Sequence, residues 1–218
     1  DATEKYLQRA KDLDFIKRIT ISKGSISYVD STKREVLLAQ DVNGWLSLQE
    51  IENSSLRLVG KIFHSQNFNL IVTGDVDLLH TNLDRLNIQV NNFEWKERIP
   101  FLIPDYFDVK QGQINGTIVI AQQKLQNQKF DISGAINVTE GSFQITDNSL
   151  FFDDINISAQ IENGDCIFSN SSFLFNGSHM LLAGKINNIF NPRLEMTMQS
   201  DRFDLKKAPC PQSWKIIN

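Results

Sequence analysis

Apolar and polar residues alternate with a period of two along most of this chain, over segments often ten or more residues long. Ile19 and Ile21 open the pattern, and Ile26 and Tyr28 resume it beyond Gly24. Phe68, Leu70, Val72 and Val76 alternate across Gly74, and Phe130, Ile132, Ile136 and Val138 across Gly134. Ile155, Ile157, Ala159 and Ile161 continue it, as do Met180, Leu182 and Ile186, then Leu194, Met196 and Met198. Successive side chains of a strand point to opposite faces, so this period writes one apolar face and one wet face. The wet face carries Asp131, Ser133, Asn156, Ser158, Gln160, Glu195 and Thr197. Strands of this length span roughly 35 Å at ~3.3 Å per residue. Long antiparallel strands with one solvated face are the fold these residues describe.

Composition agrees. The chain holds 24 Ile and 8 Ala, and β-branched residues favour strands where Ala favours helices. A 41% hydrophobic share excludes a disordered chain. The net charge of −4, with no Lys/Arg cluster longer than two, argues against a nucleic-acid partner. The longest apolar runs are three or four residues, such as Phe101-Leu102-Ile103, too short for a membrane-spanning helix. Asp1 to Lys5 lack the basic and apolar regions of a signal peptide, and the chain reads as a piece of something longer.

Five segments follow. Residues 1–14 form an N-terminal amphipathic helix, with Tyr6, Leu7, Ala10 and Leu13 at helical spacing. Residues 15–97 form a first β repeat. Residues 98–107 hold two of the five prolines and cross the sheet as a loop or short helix. Residues 108–208 form a second β repeat, and 209–218 a C-terminal tail, read as a truncated continuation.

The repeats are visible at two scales. A short motif, apolar-x-Gly-x-apolar, recurs around Gly60, Gly74, Gly116, Gly134 and Gly184. Glycine inside a strand weakens it, so its placement on the apolar face implies bends or close backbone approach. At the longer scale, Ile19-Thr-Ile-Ser-Lys-Gly24-Ser25 answers Ile136-Asn-Val-Thr-Glu-Gly141-Ser142, 117 positions on. Asp41-Val42-Asn43 answers Asp154-Ile155-Asn156 at 113 positions, and Leu58–Ile62 answers Leu182–Ile186 at 124. Leu70, Val72 and Asp77 answer Leu194, Met196 and Asp201. Preserved order with small drift is expected of two copies differing in loop length.

The phrase from Phe130 to Ile145, with its sequel through Leu181–Ile186 and Asn191–Met196, resembles the AsmA/TamB-like envelope proteins, and Ile19–Leu78 is similar but looser. The resemblance implies long antiparallel strands curled into an open, taco-like groove. It also implies a periplasmic protein, anchored to the inner membrane by regions outside this stretch. Such a groove carries phospholipid or another acyl-chain lipid between inner and outer membranes, or assists outer-membrane assembly proteins. The expected lining is Ile114, Ile118, Ile132, Ile136, Phe143, Ile145, Ile155, Ile157, Phe173, Phe175, Met180, Leu182, Ile186, Leu194, Met196 and Met198. Burial of each methylene yields ~0.8 kcal/mol, so an apolar trough of this kind can hold an acyl tail.

Catalytic and metal chemistry are not legible. His64, His80 and His179 are far apart and lack ligand spacing, and no nucleophile elbow or phosphate loop occurs. The carboxylate pairs Asp153/Asp154 and Asp105/Asp108 have the residue type for acid–base work but read as solvated strand ends or turns, and Asp153 and Asp154, adjacent on a strand, face opposite ways. No cofactor is expected and the chain reads as non-enzymatic. Six Asn-x-Ser/Thr sequons, at Asn53, Asn115, Asn137, Asn156, Asn170 and Asn176, are what frequent Asn and Ser produce by chance. Cys166 and Cys210 leave open one bridge or two thiols. The alternative architecture is a closed β-sandwich serving as a carbohydrate-binding or adhesive module. It predicts clustered Trp and Tyr beside carboxylates, against which Trp45, Trp95 and Trp214 are dispersed.

Overall fold

The alternating segments become strands in a computed structural model, which describes residues 16–29, 33, 35–48, 54–77, 82–96, 107–122, 130–145, 150–189 and 191–200. The strands are β1 (Arg18–Val29), β2 (Glu35–Ser47), β3 (Ser54–Ile62), β4 (Leu70–Asp77), β5 (Asn82–Glu94), β6 (Phe107–Gln122), β7 (Phe130–Ile145), β8 (Leu150–Glu162), β9 (Asp165–Phe175), β10 (Ser178–Asn187) and β11 (Arg193–Gln199). They belong to one 11-stranded antiparallel sheet in which spatial order follows chain order, with β1 and β11 as its end strands. The fold is all-β and the sheet is not closed. No helix occurs among the described residues. The expected helix at 1–14, the proline segment up to residue 106 and the tail at 209–218 lie outside them.

The chain divides into two compact units. The first comprises residues 1–93 and 115–134, the second residues 94–114 and 135–218. In the first, β1 to β5 pair in succession. In the second, β8 to β11 do the same. Two-residue Asn-Gly turns make the tightest connections of the second unit. Asn163 and Gly164 join β8 to β9 with φ of 52° and 78°, and Asn176 and Gly177 join β9 to β10 with 45° and 82°. Both central residues at positive φ match the right-handed twist of the flanking strands.

Strand order revises one half of the long repeat. The upstream correspondence, Lys23-Gly24 with Glu140-Gly141 and Asp41–Asn43 with Asp154–Asn156, joins β1 and β2 to β7 and β8. Downstream, Leu58–Ile62 lies in β3, next to β2, whereas Leu182–Ile186 lies in β10, two strands beyond β8. The jump to an offset of 124 therefore contains a whole strand, β9, rather than a longer loop. By place in the order, β10 matches β4, and Gly184 then answers Gly74 at 110 positions.

Eleven hydrophobic side chains are buried among the described residues, and twelve large ones are exposed. Burial is concentrated at Ala39 and Val42 in the first unit and around Ile155, Phe173 and Met180 in the second. Most residues of the alternating pattern are half-buried. They cover one another within a sheet.

Candidate functional site

Residues directly opposite on paired strands share a face, so the registers of the first unit define its apolar surface. One row runs Ile19, Leu46, Leu56, Gly74, Leu86, and the next Ile21, Gly44, Leu58, Val72, Ile88. A third holds Gly24 beside Val42, then Gly60, Leu70 and Val90. The opposite face presents Thr20, Trp45, Arg57, Thr73 and Asn87 in one row, with Ser55, Asp75 and Arg85 in the next. The Arg18 guanidinium lies 5.0 Å from the centre of the Trp45 ring on that side.

Glycine sits on the apolar face because the neighbouring backbone comes close. A Cβ at Gly44 would fall on the Arg57 carbonyl, and one at Gly184 on the Glu195 carbonyl. Gly184 also has φ of 158°, which side-chain-bearing residues rarely adopt. In both places the missing side chain lets two strands approach across the face.

The apolar face of the second unit is richer in aromatic rings. Phe152 lies opposite Phe175, and Phe173 opposite Met180. Ile155, Phe173 and Met180 are buried together, with Phe143, Phe152, Ile157, Phe175 and Leu182 packed against them. The Phe143 and Phe152 rings stack with centroids 4.6 Å apart, and Phe175 tilts against Phe152 at 4.9 Å. Further along, Ala159 faces Phe168, which faces Gly184 and then Met196. Ile161 faces Cys166, then Ile186 and Leu194. Cys166 is a buried free thiol whose pKa burial pushes up. Cys210 lies outside the described residues.

What keeps each face apolar from end to end is a set of bulges. Lys23 and Asp41 in the first unit, and Glu140 and Asp154 in the second, all have φ between 45° and 52°. Each adds one residue to its strand and flips the alternation, so Ile21 and Gly24, or Phe152 and Ile155, share a face. An asparagine latches each pair of bulges. Asn43 accepts the Lys23 N–H at 3.1 Å and donates to the Asp41 carbonyl at 2.6 Å. Asn156 accepts the Glu140 N–H at 3.4 Å and donates to the Asp154 carbonyl at 3.0 Å. Asn115 accepts the N–H of Asn92, another positive-φ residue, at 2.7 Å. Asn156 and Asn115, read from sequence as an outward polar residue and a chance sequon, are thus structural.

The structure distributes the sixteen candidate residues unevenly. It gathers Phe143, Ile155, Ile157, Phe173, Phe175, Met180 and Leu182 in one cluster, and places Ile186 on the same face. Leu194, Met196 and Met198 continue that face on β11 but are 60%, 42% and 53% exposed. Ile118 and Ile132 are half-buried in the first unit, and Ile114, Ile136 and Ile145 in the second. The candidate set lacks the apolar rows that β1 to β5 build in the first unit, and Phe152, Phe168 and Cys166 of the second. Strict alternation from Ile155 excludes Phe152, and from Phe173 excludes Phe168. Bulges at Asp154 and Asn170 restore both.

Among the described residues no group of His, Cys, Asp and Glu could hold a metal ion, and no helix is long and apolar enough to cross a membrane. Asp108 pairs with Lys110, and the Asp154 carboxylate accepts the Asn156 amide at 2.9 Å. Asp165 is held by Lys185 at 2.7 Å and by the Asn188 N–H, which lower its pKa. Searches against protein-family models, curated proteins and solved structures find no match to this chain.

Proposed function

We propose that the chain is a non-enzymatic segment of a cell-envelope protein whose curled, apolar β groove carries or shields phospholipid acyl chains. On this reading it lies in the periplasm, serves traffic between inner and outer membranes or assists outer-membrane assembly, and touches the membrane through other regions. The observation that supports it most is the continuity of the apolar rows. Two run unbroken over five strands of the first unit, and a third crosses the Asp41 bulge, with glycine where strands crowd. Apolar residues at an end strand, Ile19 and Ile21, are 43% and 37% exposed. Such a surface, with no second layer of secondary structure among the described residues, suits a ligand whose methylenes each contribute ~0.8 kcal/mol on leaving water. The charged and hydroxyl residues of the opposite rows would face water.

Photo-crosslinking tests the proposal. A benzophenone side chain at Leu58, Ile136 or Leu182 is expected to capture phospholipid in cells. Capture confined to wet-face positions such as Thr73 or Ser133, or to no position at all, overturns it.

A further inference from the structure

Four Asn-Gly pairs stand in this chain, at 43–44, 115–116, 163–164 and 176–177. A pair of this kind converts itself without an enzyme. The glycine amide nitrogen, having given its proton to hydroxide, attacks the asparagine Cγ. The N–Cγ bond forms, the Cγ–Nδ2 bond breaks, and ammonia leaves. Water then opens the succinimide ring at either carbonyl, leaving aspartate, or isoaspartate with the backbone routed through the side chain. Glycine favours ring closure because no Cβ crowds its nitrogen. Two conditions decide whether a fold allows the step. The asparagine amide must be free to swing onto the backbone, and the peptide it joins must lie outside a strand ladder so that it can rotate.

Three of the four pairs fail at least one condition. Asn43 and Asn115 lie inside β2 and β6, and Gly44 is paired with Ile21 on one side and Leu58 on the other. Their amides are also engaged, Asn43 with the Lys23 N–H and the Asp41 carbonyl, Asn115 with the Asn92 N–H. Asn176 occupies a hairpin tip, but its Oδ1 accepts the Phe151 N–H at 2.9 Å and its own N–H donates to the Phe151 carbonyl at 2.9 Å. Asn163 also sits at a hairpin tip, and its side chain is exposed with no hydrogen-bond partner among the described residues. A Cβ at Gly164 would meet nothing within 4 Å, so the space beside the attacking residue is open. The Gly164 carbonyl is held by the Ile189 N–H at 2.8 Å, so the tip must loosen before the ring closes. We propose that Asn163-Gly164 is the self-modification site of the folded chain, where the β8–β9 turn gains a carboxylate with age. The new acid falls between Glu162 and Asp165, which face each other in register.

Peptide mapping by mass spectrometry of the full chain, held in mildly alkaline buffer, reads all four pairs at once. In the folded chain Asn163 is expected to convert at least about fivefold faster than Asn176, the factor one ordinary hydrogen bond is worth. Asn43 and Asn115 trail both. In urea the four pairs converge on similar rates, all faster than Asn163 in the folded chain. Isoelectric focusing shows a more acidic band growing with time, and Asn163→Gln removes that first band while the circular dichroism spectrum is unchanged. Conversion at Asn43, Asn115 or Asn176 as fast as at Asn163 overturns the proposal. So does an Asn163 that persists in the folded chain while the denatured chain converts, or a ranking that survives in urea.

Discussion

The two asparagine latches are the same backbone device closed in different ways. In both, two neighbouring strands each carry a positive-φ residue, and one asparagine accepts from the first and donates to the second. Around Asn43 the acid at the bulge is taken by a cation, since Asp41 pairs with Lys61 at 2.9 Å. Around Asn156 the acid is taken by the latch itself, and the bond to Glu140 is longer at 3.4 Å. The comparison separates what the motif requires from what it tolerates. The amide and the two left-handed residues are required. The partner of the acid is free to vary.

The largest expected effects come from the close strand approaches. Gly44→Ala should cost about 4 kcal/mol or prevent folding, because β2 is held on both sides and cannot yield to the Arg57 carbonyl. Gly184→Ala should cost about 2–3 kcal/mol, since β11 is an end strand and can move outward. Urea denaturation measures both, and equal losses would break the distinction. Next is the aromatic cluster of the second face. Phe152→Ala should cost about 3 kcal/mol and Leu58→Ala about 2, with hydrogen exchange quickened locally around each.

The latches themselves come third. Asn43→Ala should cost about 1.5 kcal/mol and Asn156→Ala about 1, each freeing a bulge N–H to exchange. A larger loss at Asn156 would show that its bond to the Asp154 carboxylate outweighs the shorter bonds at Asn43. The smallest effect belongs to Asp165. Lys185 and the Asn188 N–H lower its pKa, so its contribution is complete above the ordinary aspartate range and fades as pH falls through the lowered native value. Stability of the parent and of Asp165→Asn should therefore differ near neutral pH and converge at low pH.

The strands and their apolar face were legible because period two survives in sequence wherever a strand is regular. Ile155, Ile157 and Leu182 needed nothing more. Phe152 and Phe168 were lost because a bulge shifts phase without any composition change, and Asp154 or Asn170 at a left-handed φ looks like any polar residue. The matched Lys23-Gly24 and Glu140-Gly141 pairs mark two other bulges, and in sequence they read only as repeats. The Asn-Gly pairs at 163–164 and 176–177 were a hairpin signal in plain view, and they would have separated β9 as a strand of its own. The repeat through Leu58–Ile62 misled for a physical reason. Apolar-x-Gly-x-apolar marks where strands crowd, and crowding recurs at more than one place in a sheet.

The bulges have one more consequence, for how such a chain can change length. A one-residue deletion in a two-faced strand turns everything beyond it inside out. At Lys23, Asp41, Glu140 and Asp154 the surplus residue is already present, so its removal returns the strand to plain alternation with Ile21 and Gly24, or Phe152 and Ile155, still facing together. These four sites are where a strand can gain or lose a residue and leave the sheet's inside and outside unchanged.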